Sequence, residues 1–221
     1  MKNIILALFC LSLVSISQAQ VSNSVAVTIV YDGSGSMSDT VADNHNNEAP
    51  KYQIANRAVN SIIKQLTAFS QDKQIPVKVS LIYFVDGRIN TGVPIVTLTS
   101  NSARLFTSWT RNFTSPAGGT PLGTAIKAAH AQLINTGALH RHILVITDGE
   151  SNEGSSPEQI MAKIKQSGYP VPVYFLAFDV DASVFNKVKA QGATVASASN
   201  EVQLNTQINT ILGQKIMLEA E

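Results

Sequence analysis

The chain has 221 residues, of which 44% are hydrophobic and 14% charged, with 16 Lys and Arg against 15 Asp and Glu. That length is enough for one or two domains with a sizeable buried core. A formal charge of +1 excludes the clustered basic surface that nucleic acid requires, and the low charge density excludes a disordered chain.

At the amino end, Met1-Lys2-Asn3 is a short basic start, and Ile4 to Val14 is apolar apart from Ser12. Ser17-Gln18-Ala19 then puts small residues where signal peptidase reads. Residues 1–19 are therefore expected to be a secretory signal peptide. The apolar run falls short of the ~20 residues that span a bilayer, so no stable membrane insertion is expected once the signal is removed. Phe9 before Cys10 does not suit a lipoprotein signal. Cleavage after Ala19 would remove Lys2 and Cys10, leaving 15 basic and 15 acidic residues and no cysteine. The remaining domain, 20–221, must then be held by its core without disulfides. A short signal of this kind reads as bacterial and predicts a periplasmic or extracellular protein.

Beyond the signal, strand and helix patterns alternate. Ser24–Tyr31 (SVAVTIVY) is a β-branched run suited to a central strand buried on both faces. Pro50–Phe69 carries Ala55, Ala58, Val59, Ile62, Leu66 and Phe69 at helical spacing. Pro76–Val85 alternates as a strand, Asp86-Gly87 begins a turn region, and Val93–Leu98 is expected to return as an antiparallel edge strand. Ser102–Phe113 is expected as a short helix and Pro121–Asn135 as a longer one. His142–Thr147 (HILVIT) is a strand, Ser156-Pro157-Glu158 opens a helix with a cap and a proline, and Gly168 is placed to end it. Val171–Phe178, Ala182–Gln191 and Ala193–Ala196 continue the alternation, and Asn200 caps a last helix with Ile208, Ile211, Leu212 and Ile216 inward. The pattern predicts one doubly wound α/β domain, with its core at about 24–218. Its sheet should be mostly parallel, with one antiparallel edge strand and helices on both faces.

Ligands of open α/β sheets bind at the carboxyl ends of strands. There the first strand runs into Asp32-Gly33-Ser34-Gly35-Ser36-Met37, which can present three oxygen-bearing side chains to one point. An EF-hand loop is excluded because its glycine position is Met37 and a strand precedes it. A nucleophile elbow is excluded because no G-x-S-x-G is present there. Gly118–Thr124 (GGTPLGT) lacks the lysine of a phosphate-binding loop. Taken alone, Thr120 reads as a helix cap and Asp148 as a turn residue. Together the three loops form an ordered set: DxSxS, then Thr after paired glycines, then Asp after a buried strand.

DGSGSM at 32–37, GGTPL at 118–122 and TDGE at 147–150 resemble the von Willebrand factor type A family, and specifically its metal-ion-dependent adhesion site. The resemblance covers nearly the whole expected mature chain and implies the Rossmann-like fold of that family. It also implies five metal ligands: Asp32, Ser34, Ser36, Thr120 and Asp148. The family expectation is that the serines, and in the high-affinity state Thr120, bind directly, while the two aspartates often act through water. This chain departs from the familiar opening at Gly33, which is not a ligand position. All five donors are hard oxygens, without Cys or a nearby His, so the expected ion is Mg²⁺ or Mn²⁺ in preference to Ca²⁺ and not zinc.

The expected function is a secreted, cation-dependent adhesion or interaction module whose metal takes an Asp or Glu from a protein partner. No nucleophile has a base at readable spacing, so no catalysis is expected. Two other classes stay open: a metal-dependent hydrolase with Glu150 as its base, and an envelope assembly factor with a vestigial metal site. His140 and His142 are read as structural or surface groups, His45 and His130 as groups without a partner at ligand spacing, and Ser38–Ala49 as a solvated connection.

Overall fold

The computed structural model describes residues 23–221; the expected signal peptide lies outside the described residues. Strand β1 (Val25–Asp32) is buried along its whole length. It pairs in parallel with β4 (Val77–Val85) on one side and β6 (His140–Thr147) on the other. A strand with neighbours on both edges and helices on both faces has no polar side, which is why its sequence is a continuous β-branched run. Before the terminal Asp32 the polar interruption is Thr28, whose hydroxyl meets that of Ser80 on β4 at 2.9 Å.

The sheet continues through β7 (Val173–Phe178) and β8 (Thr194–Ala198) on one side and β5 (Arg88–Thr97) on the other, giving the order β5-β4-β1-β6-β7-β8. Only β5 is antiparallel, so the fold is the expected α/β sheet with one antiparallel edge. Val25, Val27, Ile29 and Tyr31 of β1 pack towards α1 (Lys51–Lys73), α2 (Ser100–Asn112) and α6 (Glu201–Ile211). Ala26 and Val30 pack the opposite way, against α3 (Leu122–Leu133), α4 (Pro157–Gln166) and α5 (Asn186–Ala190). The strand period of two thus builds a core on each face.

Three stretches differ from the sequence expectation. Strand β5 begins at Arg88, well before Val93, because Asp86 and Gly87 both adopt positive φ and close a tight two-residue hairpin. Its first residues are polar because they lie on an edge, and that polarity hides the strand. Ser38–Ala49 is not simply a solvated connection: it contributes β2 (Thr40–Ala42), paired with β3 (Glu48–Pro50). The Asp43 carboxylate shapes that hairpin by accepting the His45 and Asn47 backbone N–H groups at 2.8 and 2.9 Å. The last helix stops at Ile211 and passes through a π-helical turn, Leu212–Met217, into a 3₁₀ turn, Leu218–Ala220.

That wider turn returns Glu219 to the amino end of β6, far from the carboxyl-end loops. There His140 Nδ1 and His142 Nε2 lie 3.7 and 3.5 Å from its two carboxylate oxygens. His142 is fully buried, and neither ring nitrogen has a hydrogen-bond partner. Glu219 is half exposed, so burial dominates: burial first, and the neighbouring His140 second, push His142 from 6.5 down to about 4. The unfolded chain can take up a proton here between these values and the folded chain cannot. Stability from the neutral imidazole is therefore present above pH 6.5 and is lost as pH falls towards 4. The size is on the order of 3 kcal/mol. His142→Leu should flatten this acid limb: between pH 7 and 4.5, urea unfolding should show the wild type losing about 2 kcal/mol more than the variant. Equal losses would remove this account.

Candidate functional site

The parallel pairing of β1 with β6 sets Tyr31 opposite Ile146, so Asp32 ends its strand beside Thr147, with Asp148 one residue further on. Asp32 is fully buried. One of its oxygens accepts the Ser34 backbone N–H at 2.8 Å and the other accepts the Thr147 hydroxyl at 2.5 Å. The Ser34 and Ser36 hydroxyls lie 3.2 Å apart, and Ser36 Oγ donates to Asp148 Oδ1 at 2.8 Å. Asp32, Ser34, Ser36 and Asp148 are thus linked in a single polar chain.

Thr120 arrives on a separate loop and makes no hydrogen bond to those four. The loop is docked through its backbone: Ala117 N–H donates to the Gly33 carbonyl at 2.8 Å, and Gly35 N–H donates to that of Gly118 at 3.0 Å. Helix α3 begins at Leu122 with no side-chain cap, so the Thr120 hydroxyl is not consumed as the helix cap that the isolated motif suggested. A third loop fixes the Thr120 backbone. Asn152 Oδ1 accepts its N–H at 2.8 Å, while Ser151 Oγ and Asn152 N–H donate to its carbonyl at 3.1 and 3.2 Å.

Gly33 is required by close packing. A Cβ there would stand 2.4 Å from the Phe84 carbonyl oxygen and 2.8 Å from the Phe113 ring. Phe113 belongs to an aromatic group beneath the loop, stacked on Trp109 at 5.2 Å and edge-on to Tyr31 at 5.1 Å. Gly118 is similarly pressed against the turn after β4, where a Cβ would stand 2.5 Å from Asp86 Cα. The first two loops are therefore seated on rigid parts of the fold, which is what a binding constellation needs.

Electrostatics concentrate at Asp32. Burial pushes its carboxyl up to about 6, the hydrogen bonds from Ser34 and Thr147 act in the opposite direction, and the charge of Asp148 raises it further. A buried carboxylate beside a second one is a place where a cation is strongly favoured.

Residues 26–211 match the von Willebrand factor type A domain. The chain belongs to this family. Its fold is similar to the type A domain of Mfa5, a type V pili tip protein from Porphyromonas gingivalis, with a TM-score of 0.70 at 14% identity over 91% of this chain and 98% of that one. It is also similar to the PilB minor pilin from Streptococcus sanguinis, with a TM-score of 0.68 at 18% identity over 88% of this chain and 61% of the pilin. The pilus adhesin SpaC from Lactobacillus rhamnosus GG gives 0.69 at 14% identity over 89% of this chain, which spans only 30% of that adhesin. No curated protein sequence matches the chain.

In this type A domain two charged groups join the five sequence-derived donors. Lys51, the first residue of α1, is buried, and its ammonium donates to Asp148 Oδ2 at 3.1 Å and lies 3.0 Å from Asp179 Oδ2. Asp179 follows β7 directly, so the ends of β1, β6 and β7 supply one carboxylate each. Burial disfavours the ammonium, but Asp179 and Asp148 outweigh it and hold the Lys51 pKa above its ordinary value. Thr147 stood in the TDGE motif without a role, and Asn152 lay outside the motifs; a strand end and a polar loop give no sign of a hydrogen-bond target. Among the described residues no group of three or more His, Cys, Asp or Glu side chains is placed to hold a metal. Any cation here would therefore depend on hydroxyls as well as carboxylates.

Beside this face lies a cavity of about 320 Å³ with Leu122, Pro157, Phe185 and Val188 among its apolar lining residues. Ser151 and Asn152 line it too, so the loop that fixes Thr120 is also a cavity wall. Glu150, suggested as a hydrolase base, is another lining residue; among the described residues no nucleophile is hydrogen-bonded to it.

The seating of the first loop can be tested with two glycines. Gly33→Ala should cost about 1–3 kcal/mol in urea unfolding, as overpacked sites do. Gly149→Ala has nothing within 4 Å of its new methyl and should stay within about 0.5 kcal/mol of the wild type. Similar costs for both would contradict the packing described.

Proposed function

We propose that the domain is a secreted, cation-dependent protein-binding module whose metal takes an Asp or Glu side chain from its partner. The observation that carries this reading is Asp32: a fully buried carboxylate, raised to about 6, next to a second carboxylate and a row of hydroxyls. Asp148 has the Lys51 ammonium against it, whereas Asp32 has only hydrogen-bond donors. A small divalent ion supplies the missing charge. The donor set fits one, since Asp32, Ser34, Ser36, Thr120 and Asp148 are all hard oxygen donors, which favour Mg²⁺ or Mn²⁺.

Within this reading Ser34, Ser36 and Thr120 offer hydroxyl oxygens, while Asp32 and Asp148 provide charge and orient the serines. Bound there, the ion would act as a Lewis acid for one further oxygen, and a partner carboxylate supplies that oxygen with a compensating charge. The cavity beside Thr120 leaves room for residues flanking that carboxylate. Pilus tip, minor pilin and pilus adhesin proteins among the structural neighbours support an adhesive role over an enzymatic one. They also support secretion, in keeping with the signal expected at 1–19. No described helix is long and apolar enough to cross a membrane.

Mg²⁺ or Mn²⁺ at about 100 times its Kd should raise the melting temperature by roughly 5–10 °C, and Asp32→Ala should abolish the shift. Equal shifts in both proteins would sink the site. In a pull-down from envelope or culture fluid, a partner should be retained with Mg²⁺ and released by chelator. It should not be captured by Asp32→Ala. Turnover of a substrate that is lost in Glu150→Gln with metal still bound would favour the hydrolase reading instead.

A further inference from the structure

We propose that Lys51 is a built-in counter-cation of the site: its ammonium competes with the divalent ion for Asp148 and, on loading, is handed to Asp179. This rests on the metal-binding reading above and adds a device that regulates it.

The placement of Lys51 is unusual for a lysine. It opens α1, where the positive end of the helix disfavours a cation, and its side chain is only 7% exposed. Carboxylates on three separate segments offset these costs: Asp148 at 3.1 Å, Asp179 at 3.0 Å and Asp39 at 3.8 Å. The ammonium occupies one oxygen of Asp148, and Ser36 occupies the other. Asp148 is thus fully engaged by the protein's own groups.

Loading brings two positive charges to the hydroxyl side of Asp148. The ammonium lies on the other oxygen of the same carboxylate, a few ångströms away, in a setting too dry to screen the repulsion well. It has somewhere to go. Asp179 is part exposed, at 40% of its side chain, and Asp39 is more so, at 71%, whereas the Asp148 side chain is fully buried. A small rotation of the lysine stem towards the outer carboxylates relieves the repulsion and keeps the ammonium paired. Asp148 is then free to face the ion.

The chain gives this movement a route outward. Lys51 N–H donates to the Asp39 carbonyl at 2.8 Å, at the foot of the β2–β3 hairpin, and Asp179 N–H donates to the Ala198 carbonyl at the end of β8 at 2.7 Å. Transfer of the ammonium therefore shifts charge towards two loops that flank the site.

The test is Mg²⁺ titration by calorimetry on the full domain, with folding checked by circular dichroism. Lys51→Met removes the competitor with a side chain of similar length. Because it leaves the buried Asp148 carboxylate without its counter-charge, the metal-free variant should be less stable than the wild type. Binding is compared under conditions where circular dichroism shows both to be folded. The substitution should tighten Mg²⁺ binding by about tenfold or more. Asp179→Asn suits the positive φ of that position. It removes the receiving carboxylate and should weaken Mg²⁺ binding several-fold, but only while Lys51 is present. In the Lys51→Met background it should have almost no effect. A purely structural lysine would move the melting temperature without this pattern of opposite signs.

Unchanged or weaker binding in Lys51→Met overturns the proposal while leaving the metal site standing. Binding by Lys51→Met but not by the wild type supports the competition, overturns the handover to Asp179 and overturns cation-dependent adhesion by the native chain. No binding by any variant removes both. The ammonium of ¹⁵N-labelled Lys51 provides a second readout: its nitrogen resonance should shift on Mg²⁺ addition in the wild type, and a resonance indifferent to Mg²⁺ overturns the handover.

Discussion

Holding Asp32 and Asp148 side by side at the ends of two neighbouring parallel strands is the constraint on which the working face depends. Strands pair about 4.8 Å apart, so the β1–β6 register leaves two carboxylates close together at the rim of the sheet. Several of the elements at that rim bear on the resulting charge. The DxSxS loop turns an N–H and two hydroxyls towards it, β6 contributes the Thr147 hydroxyl, and α1 starts with an ammonium. The same constraint explains why the loops are tied to one another through backbone hydrogen bonds as well as side chains. A charge pair of this kind is useful only if its surroundings cannot relax away from it.

The fold supplies that rigidity by separating tasks between its two faces. On one face the core reaches the site through Tyr31, whose hydroxyl lies 3.0 Å from both the Tyr52 carbonyl and Asn56 Oδ1 and has one proton to share between them. Asn56 in turn donates to the carbonyls of Thr110 and Phe113 at the end of α2. The other face carries α3 and α4, with Leu122 buried just after the Thr120 loop. Each donor loop therefore starts or ends in a packed element, and none hangs from a long free connection.

Much of this was legible in the sequence, for physical reasons that also mark where legibility stops. An eight-residue run rich in β-branched residues is the mark of a central strand, and the helical spacing from Ala55 to Phe69 leaves little choice for α1. The five oxygen donors proposed for the site came from the family resemblance carried by three short polar loops in a fixed order; taken singly, Thr120 read as a helix cap and Asp148 as a turn residue. Lys51 was not visible, because apolar periodicity carries no information about a charged residue at the first turn of a helix. Asp179 was hidden in the same way, as one more polar residue after a strand. The β2–β3 hairpin is held by one aspartate and a few backbone bonds, too little apolar patterning to show. The π-helical turn after Ile211 differs from an α-helix by less than the spacing of Ile208, Leu212 and Ile216 can reveal. That turn decides where Glu219 lands, so its approach to His140 and His142 could be found only in three dimensions.

The aromatic seat beneath the first loop has an optical consequence. Trp109 is the one tryptophan in the chain, and it stacks on Phe113, whose ring blocks any side chain at Gly33. The indole also lies 5.0 Å from the ring of Tyr31, which immediately precedes Asp32. Excited at the long-wavelength edge of its absorption band, where its five tyrosines scarcely absorb, this domain therefore emits from one indole, positioned under the turn that carries Ser34 and Ser36. The native chain thus contains its own label at the place where occupancy would matter most, and no dye or added tryptophan is needed to watch it.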